Sequence, residues 1–163
     1  MSIYAIGDIH GSLVALKSIF KQKLIKQDDT VVFLGDYIDR GPDSKGVFNW
    51  IIDNKKNYNF QFILGNHEIM MKTAKTSPER LTEWLFFGGS QTLDSYNIGD
   101  DPKWIDKIDK KHWDFIDSCK RYHEINDYIF VHAGLEARKK LEDQNKHHLF
   151  WKKFEAPECY SSN

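Results

Sequence analysis

The chain has 163 residues, 40% of them hydrophobic and 14% aromatic, with 23 basic against 24 acidic side chains. That length suits one domain, and that composition excludes global disorder. The near-balance of charge excludes a broad electrostatic footprint for nucleic acid, and two cysteines exclude a disulfide framework or a thiolate zinc site.

The sparing use of cysteine is that of a reducing compartment. No apolar run reaches spanning length, and no basic stretch leads into a long apolar one at the N-terminus. A soluble, cytoplasmic protein without a membrane partner is expected.

In chain order, residues 3–6, 31–34 and 60–64 are short and nearly all apolar, as strands buried on both faces are. Each runs into glycine and polar residues, then into a helical pattern. After the first, Leu13, Leu16, Phe20 and Leu24 recur at helical spacing behind Ser12, an N-cap candidate. After the second, Pro42, Asp43 and Ser44 open a run with Val47, Phe48, Ile51 and Ile52 on one face. After the third, 68–75 reads as a helix. Strand, loop and helix repeated in this way predict an α/β fold with a mostly parallel sheet.

From about 78 to 120 the pattern changes. "PERLTEWLFFGGSQTLDSY" and "DPKWIDKIDKKHWDFIDSC" are amphipathic, the second with Trp104, Ile108, Phe115 and Ile116 at roughly helical spacing. They read as a helical insertion within a single domain over 1–163. "YHEINDYIFVHAG" returns to strands, with Asn126 and Asp127 as the turn of a hairpin.

The chemistry-bearing residues sit at strand ends: Asp8 and His10 in "GDIHG", Asp36, Asp39 and Arg40 in "GDYIDRG", Asn66, His67 and Glu68 in "GNHE", and His132 in "HAG". A lone aspartate at a strand end is usually a cap or an Asx-turn, and a lone histidine is usually structural. Recurrence changes the reading, because the C-terminal ends of strands in an open α/β sheet share one edge, where ligands bind. Mixed carboxylate, imidazole and amide-oxygen donors suit manganese, iron or zinc rather than calcium. A carboxylate can bridge two cations, and paired metals are a common solution for phosphate ester hydrolysis. Such a pair acidifies a bridging water, and the hydroxide attacks phosphorus in line.

These motifs, in this order, resemble the metallophosphoesterase superfamily, and within it the phosphoprotein phosphatase branch. Bacterial and phage-type serine/threonine phosphatases and symmetrical diadenosine tetraphosphatases are its nearest members, and "WLFFGGSQTLDSY" resembles a W…GG…T…SY segment of the bacterial ones. The resemblance spans residues 3 to about 154 and implies a layered αββα fold with mixed sheets. It also implies two divalent metal ions, manganese foremost, with iron or zinc as alternatives. Asp8 and His10 would hold the first, Asn66 and His132 the second, and Asp36 would bridge. His67 resembles the family's general acid, with Asp39 as its carboxylate partner, a pairing that favours imidazolium. Arg40 resembles the arginine that grips phosphate with a planar fork. Asn66 and Lys153 complete the implied substrate contacts.

Three departures stand beside this likeness. The arginine usual next to "GNHE" is absent, its places held by Ile69 and Leu64. Lys153 in "LFWKKF" takes the place of an arginine and supplies charge without the fork. The further strand and "GHT"-like motif of the family are not found, so the C-terminal strands are expected to be missing, leaving an open sheet edge and a route to self-association. His147 and His148 read as a surface pair rather than as the replacement ligand.

The implied function is a metal-dependent phosphoesterase, foremost a serine/threonine protein phosphatase acting on a phosphoprotein. Symmetrical dinucleoside tetraphosphate hydrolysis, with a phosphorylated small molecule as substrate, is the alternative within enzymes. A catalytically impaired metal- and phosphate-binding remnant is the alternative outside them. Nucleic acid is disfavoured, since acidic neighbours dilute the basic and aromatic residues of "KKLEDQNKHHLFWKKF".

Overall fold

Three strands, β1 (Ile3–Ile6), β2 (Thr30–Phe33) and β3 (Asn59–Phe62), form a parallel sheet in the order β1-β2-β3 in the computed structural model, which describes residues 1–152. The register pairs Ile6 with Phe33 and Phe33 with Phe62, so the strands end level. That common edge is where the glycine-flanked loops depart. The crossovers are α1 (Leu13–Lys21) and α2 (Ser44–Asn54), and α3 (Asn66–Ala74) follows β3.

Burial on both faces holds for β2 alone, whose Val31, Val32 and Phe33 are fully buried. The central place in the sheet explains this. β1 lies at the edge, its Ala5 is exposed, and its outer side has no strand partner among the described residues. Around β2 the core gathers Leu16, Ile38, Val47, Phe48, Ile51 and Met71. Each such side chain, taken from water, contributes roughly 1.5–3 kcal/mol. Phe33, Phe60, Phe62 and Phe115 extend the core as edge-to-face and stacked ring pairs.

Local signals at the helix starts are mixed. Asp43 caps α2, its side chain accepting from Gly46 N at 2.8 Å. Ser12 precedes α1 as expected, yet its side chain makes no capping bond. α3 starts two residues before the expected 68, so that Asn66, His67 and Glu68 form its first turn.

The insertion is helical as read: α4 (Pro78–Trp84), a π-helical turn at Leu85–Gly89, α5 (Ser90–Ser95), α6 (Trp104–Lys107) and α7 (Lys110–Ser118). α5 and α7 pack on α2, and α4 packs on α3. The chain then rejoins the sheet, with Lys120 N donating to Phe62 O and Leu64 N donating to Lys120 O. β4 (His123–Ile125) and β5 (Tyr128–Phe130) form the antiparallel hairpin, turning at Asn126, whose φ of 54° suits asparagine. α8 (Lys146–Trp151) closes the described chain. Parallel and antiparallel pairing together give the mixed-sheet α/β architecture. No helix among the described residues is long and apolar enough to cross a membrane.

Candidate metal centre and active site

The loops after β1, β2, β3 and β5 meet at one place because backbone bonds stitch them together. His10 N and Ile9 N both donate to Asp36 O, at 2.9 and 3.0 Å, and Gly11 N donates to Tyr37 O at 2.9 Å. The loop after β2 lies against the start of α3 so closely that a Cβ on Gly35 would stand 2.5 Å from Gly65 N. Only glycine permits that approach.

Four site residues hold left-handed backbone: His10 at φ 44°, Asp36 at 52°, Asp39 at 72° and Arg40 at 64°. Outside glycine this conformation costs roughly 1–2 kcal/mol, and such costs gather where a ligand must be held.

Asp36 is the hub. It is buried, and its Oδ1 accepts from His67 N at 3.1 Å, an acidic group at the start of α3. His10 Nε2 stands 3.7 Å from its Oδ2, and His132 Nε2 stands 3.6 Å from its Oδ1. Both imidazoles are tethered through the other nitrogen: His10 Nδ1 donates to Ile38 O and His132 Nδ1 to Leu34 O, each at 2.8 Å. That fixes the tautomer and leaves each Nε2 unprotonated beside the shared carboxylate, the usual orientation of a metal-ligating histidine. Asn66 Oδ1 lies 3.2 Å from His132 Nε2, and Asp8 Oδ2 lies 3.8 Å from His10 Nε2.

Donor atoms of His10, Asp36 and His67 lie within 4.8 Å of one another, as do those of Asp8, Asp36 and His132. Asp36 belongs to both groups, as a bridging ligand must. The donor set therefore fits a pair of divalent cations. His67 falls in the first group by proximity, but its own partner sets it apart. Its Nδ1 lies 2.7 Å from Asp39 Oδ2, a fully buried carboxylate, whereas His10 and His132 are tethered to backbone carbonyls.

Arg40 projects from the same loop as an exposed side chain, and its Nη1 donates to His10 Nε2 at 3.1 Å. Its backbone N donates to Gly88 O at 3.1 Å, and a Cβ on Gly88 (φ 113°) would meet Arg40 N at 2.8 Å. The paired glycines of the insertion thus seat the arginine loop. Beside Arg40, Asn66 and His67 opens a cleft of about 730 Å³, walled by Arg80, Phe87 and Trp151. His147 lines it too, so the pair read as surface residues divides: His147 faces the cleft, and His148 is half-buried, 3.7 Å from Glu136. Lys153 lies outside the described residues.

Sequence reasoning left Glu68 without a role. It is fully buried and accepts from the backbone N–H groups of Asp36, Tyr37, Ile38 and Gly65, at 3.0, 2.8, 3.4 and 3.0 Å. It clamps the loop after β2 onto α3 and so positions Asp36. Burial, with the charges of Asp36 and Asp39 added, pushes its carboxyl up to about 8. Donors aimed at both oxygens address a carboxylate, and a cation held by Asp36 would offset the remaining repulsion. The signal for this role lay in "GNHE" itself, since a glutamate three residues after a helix cap reaches back to the cap backbone.

A model of the calcineurin-like phosphoesterases matches residues 1–160. The chain belongs to this family. Symmetrical bis(5'-nucleosyl)-tetraphosphatase of Wigglesworthia glossinidia brevipalpis is 44% identical over 152 residues, covering 88% of this chain and 48% of that protein. Serine/threonine-protein phosphatase 1 of Salmonella typhimurium is 35% identical over 88 residues, covering 53% of this chain and 38% of that protein. The crystal structure of a metallophosphoesterase from Sphaerobacter thermophilus shares the fold, with a TM-score of 0.56 at 16% identity over 93% of this chain and 50% of that one. The calcineurin-like chain described here spans about half or less of the length of these relatives.

Proposed function

We propose that this calcineurin-like phosphoesterase hydrolyses phosphomonoesters, foremost phosphoserine and phosphothreonine in proteins. The observation that carries the reading is the His67–Asp39 pair beside a buried carboxylate common to two donor groups, with His67, Arg40 and Asn66 lining one cleft. Asp8, His10, Asp36, Asn66 and His132 would hold two divalent cations, with manganese the first candidate and iron or zinc the alternatives. When bound, such ions supply charge neutralisation at the phosphoryl oxygens and a nucleophilic water at neutral pH.

This chain's own residues account for the rest. Arg40 grips the phosphate through its planar fork, with Asn66 beside it, and swings off His10 Nε2 to do so. Asp39 holds the proton on His67 Nδ1, and His67 Nε2 delivers the other ring proton to the leaving oxygen as the P–O bond breaks. The alcohol departs neutral and orthophosphate remains.

A second reading has its own support. Phe87 and Trp151 offer flat apolar faces on the cleft, and Phe86 beside them is 83% exposed. Such faces suit the stacking of a base, and the Wigglesworthia relative bears the name of a dinucleoside tetraphosphatase. Manganese-loaded full chain, assayed with a phosphothreonine peptide and with diadenosine tetraphosphate, separates the readings. Orthophosphate from the peptide, abolished by Asp36→Ala and by His67→Ala, is expected. ADP from the dinucleotide instead favours the second reading. Bound metal without turnover of either substrate identifies a binding module.

A further inference from the structure

The segment "WLFFGGSQTLDSY" lies in the insertion, apart from the strand-end loops, and the proposed function gives its Trp84 and Thr92 no task. Two of its side chains nevertheless end on Asp39. Trp84 Nε1 donates to Asp39 Oδ2 at 2.8 Å, the oxygen that also faces His67 Nδ1, and Thr92 Oγ1 donates to Oδ1 at 2.6 Å. All the groups in this contact are buried: Trp84, Asp39 and Thr92 are 0% exposed, and His67 is 1% exposed.

The proton count closes without a gap. Thr92 has one hydroxyl proton, given to Asp39 Oδ1, and it accepts from Asp39 N at 2.9 Å and from Ser44 Oγ at 2.9 Å. Ser44 Oγ also stands 3.1 Å from Asp39 N. The carboxylate therefore has one oxygen held by a hydroxyl and the other shared between an indole and an imidazole. A carboxylate held by His67 alone could rotate about its Cβ–Cγ bond. Here the two donors from the insertion set its plane.

We propose that Trp84 and Thr92 are positioning residues for proton donation: by fixing the Asp39 carboxylate they aim His67 Nε2 at the leaving oxygen. This rests on the proposed phosphoesterase reading. It gives the helical insertion a part in the chemistry, beyond the choice of substrate that its outer location suggests.

The test exploits the leaving group. 2,4-Dinitrophenolate departs without a proton, whereas phenolate needs one. In the manganese-loaded full chain, Trp84→Phe keeps the ring and deletes the N–H. It is expected to lower kcat for phenyl phosphate roughly ten- to hundredfold, part of the 10²–10⁴ that a general acid supplies. Turnover of 2,4-dinitrophenyl phosphate should stay within about twofold, with KM unchanged for both esters. Thr92→Val should behave alike and Thr92→Ser should restore the rate. In a His67→Ala background, Trp84→Phe should add almost nothing, because groups acting as one unit are not additive. Equal loss on both esters, a change confined to KM, or full additivity with His67→Ala overturns the proposal. If Trp84→Phe does not fold, the Thr92→Val and Thr92→Ser pair decides alone.

A second readout needs no turnover. In the metal-free chain the His67 Nδ1 proton, in a 2.7 Å bond to a buried carboxylate, should resonate far downfield of the amides. Asp39→Asn should remove that signal, and Trp84→Phe and Thr92→Val should shift or broaden it. An unmoved signal overturns the positioning role. A moved signal in a chain that turns over neither ester leaves the positioning standing and refutes the phosphoesterase reading instead.

Discussion

Glu68 shows how a residue beside the chemistry shapes it without touching a ligand. Its oxygens satisfy backbone donors on both sides of the junction between the loop after β2 and α3. Glu68→Gln keeps the size and replaces one oxygen with an NH₂, which then faces N–H groups. Buried donors left without acceptors cost about 1–3 kcal/mol each. A loss of about 2–4 kcal/mol in stability is expected by urea unfolding, and manganese affinity should fall at least tenfold as Asp36 loses its position. At this scale the ligand candidates were legible in the sequence, since each follows a short apolar run. The supports of Asp39 were not, because Trp84 and Thr92 lie 45 and 53 positions away. No spacing rule links residues so distant.

Among the elements, α7 carries a polar group into the core with its own consequence. His112 is buried between α2 and α5, its Nδ1 accepting from Tyr96 OH at 2.6 Å and its Nε2 donating to Asn49 Oδ1 at 3.1 Å. That pattern requires the neutral ring. Burial lowers its pKa from 6.5 to about 4, outweighing the nearby Asp109 carboxylate, and Lys111 and Lys45 lower it further. The unfolded chain binds a proton below pH 6.5 that the folded chain refuses until about pH 4. Stability is therefore full above 6.5 and is lost as pH falls through that window. Between pH 7 and 4.5 the loss from this group is about 2–3 kcal/mol by chemical denaturation. His112→Gln should flatten that part of the profile. The helical stripe of the second insertion segment was readable as periodicity, with Trp104, Ile108, Phe115 and Ile116 all buried. The buried histidine broke no pattern that a sequence reading would flag.

Across the whole molecule, the candidate ligands run from residue 8 to residue 132 and come from both sheets. An unfolded chain scatters them, so divalent metal should bind the native state and stabilise it, by about 2.7 kcal/mol at a hundredfold excess over Kd. A rise in melting temperature with manganese, reversed by chelation, is expected. Asp36→Asn should abolish that rise and leave the metal-free protein as stable as the parent or more so. It removes a buried charge facing Asp39 and Glu68 and keeps an oxygen for His67 N. Equal metal-induced shifts in parent and variant would remove Asp36 from the centre of the site.

Sequence by itself determined the βαβ order, the helical insertion, the hairpin and the family, because apolar periodicity and glycine-flanked motifs are local properties of the chain. It also named Asp8, His10, Asp36, Asn66, His67 and His132 as residues worth bringing together. Tertiary structure alone decided that β2 alone among the described strands is buried on both faces, that His147 faces the cleft, that Glu68 reaches the loop after β2 as well as its own helix cap, and that Trp84 and Thr92 hold Asp39. The reason is physical: burial and hydrogen-bond partnership are settled by neighbours across the sheet and between helices, and such contacts leave no trace in the order of residues along one strand.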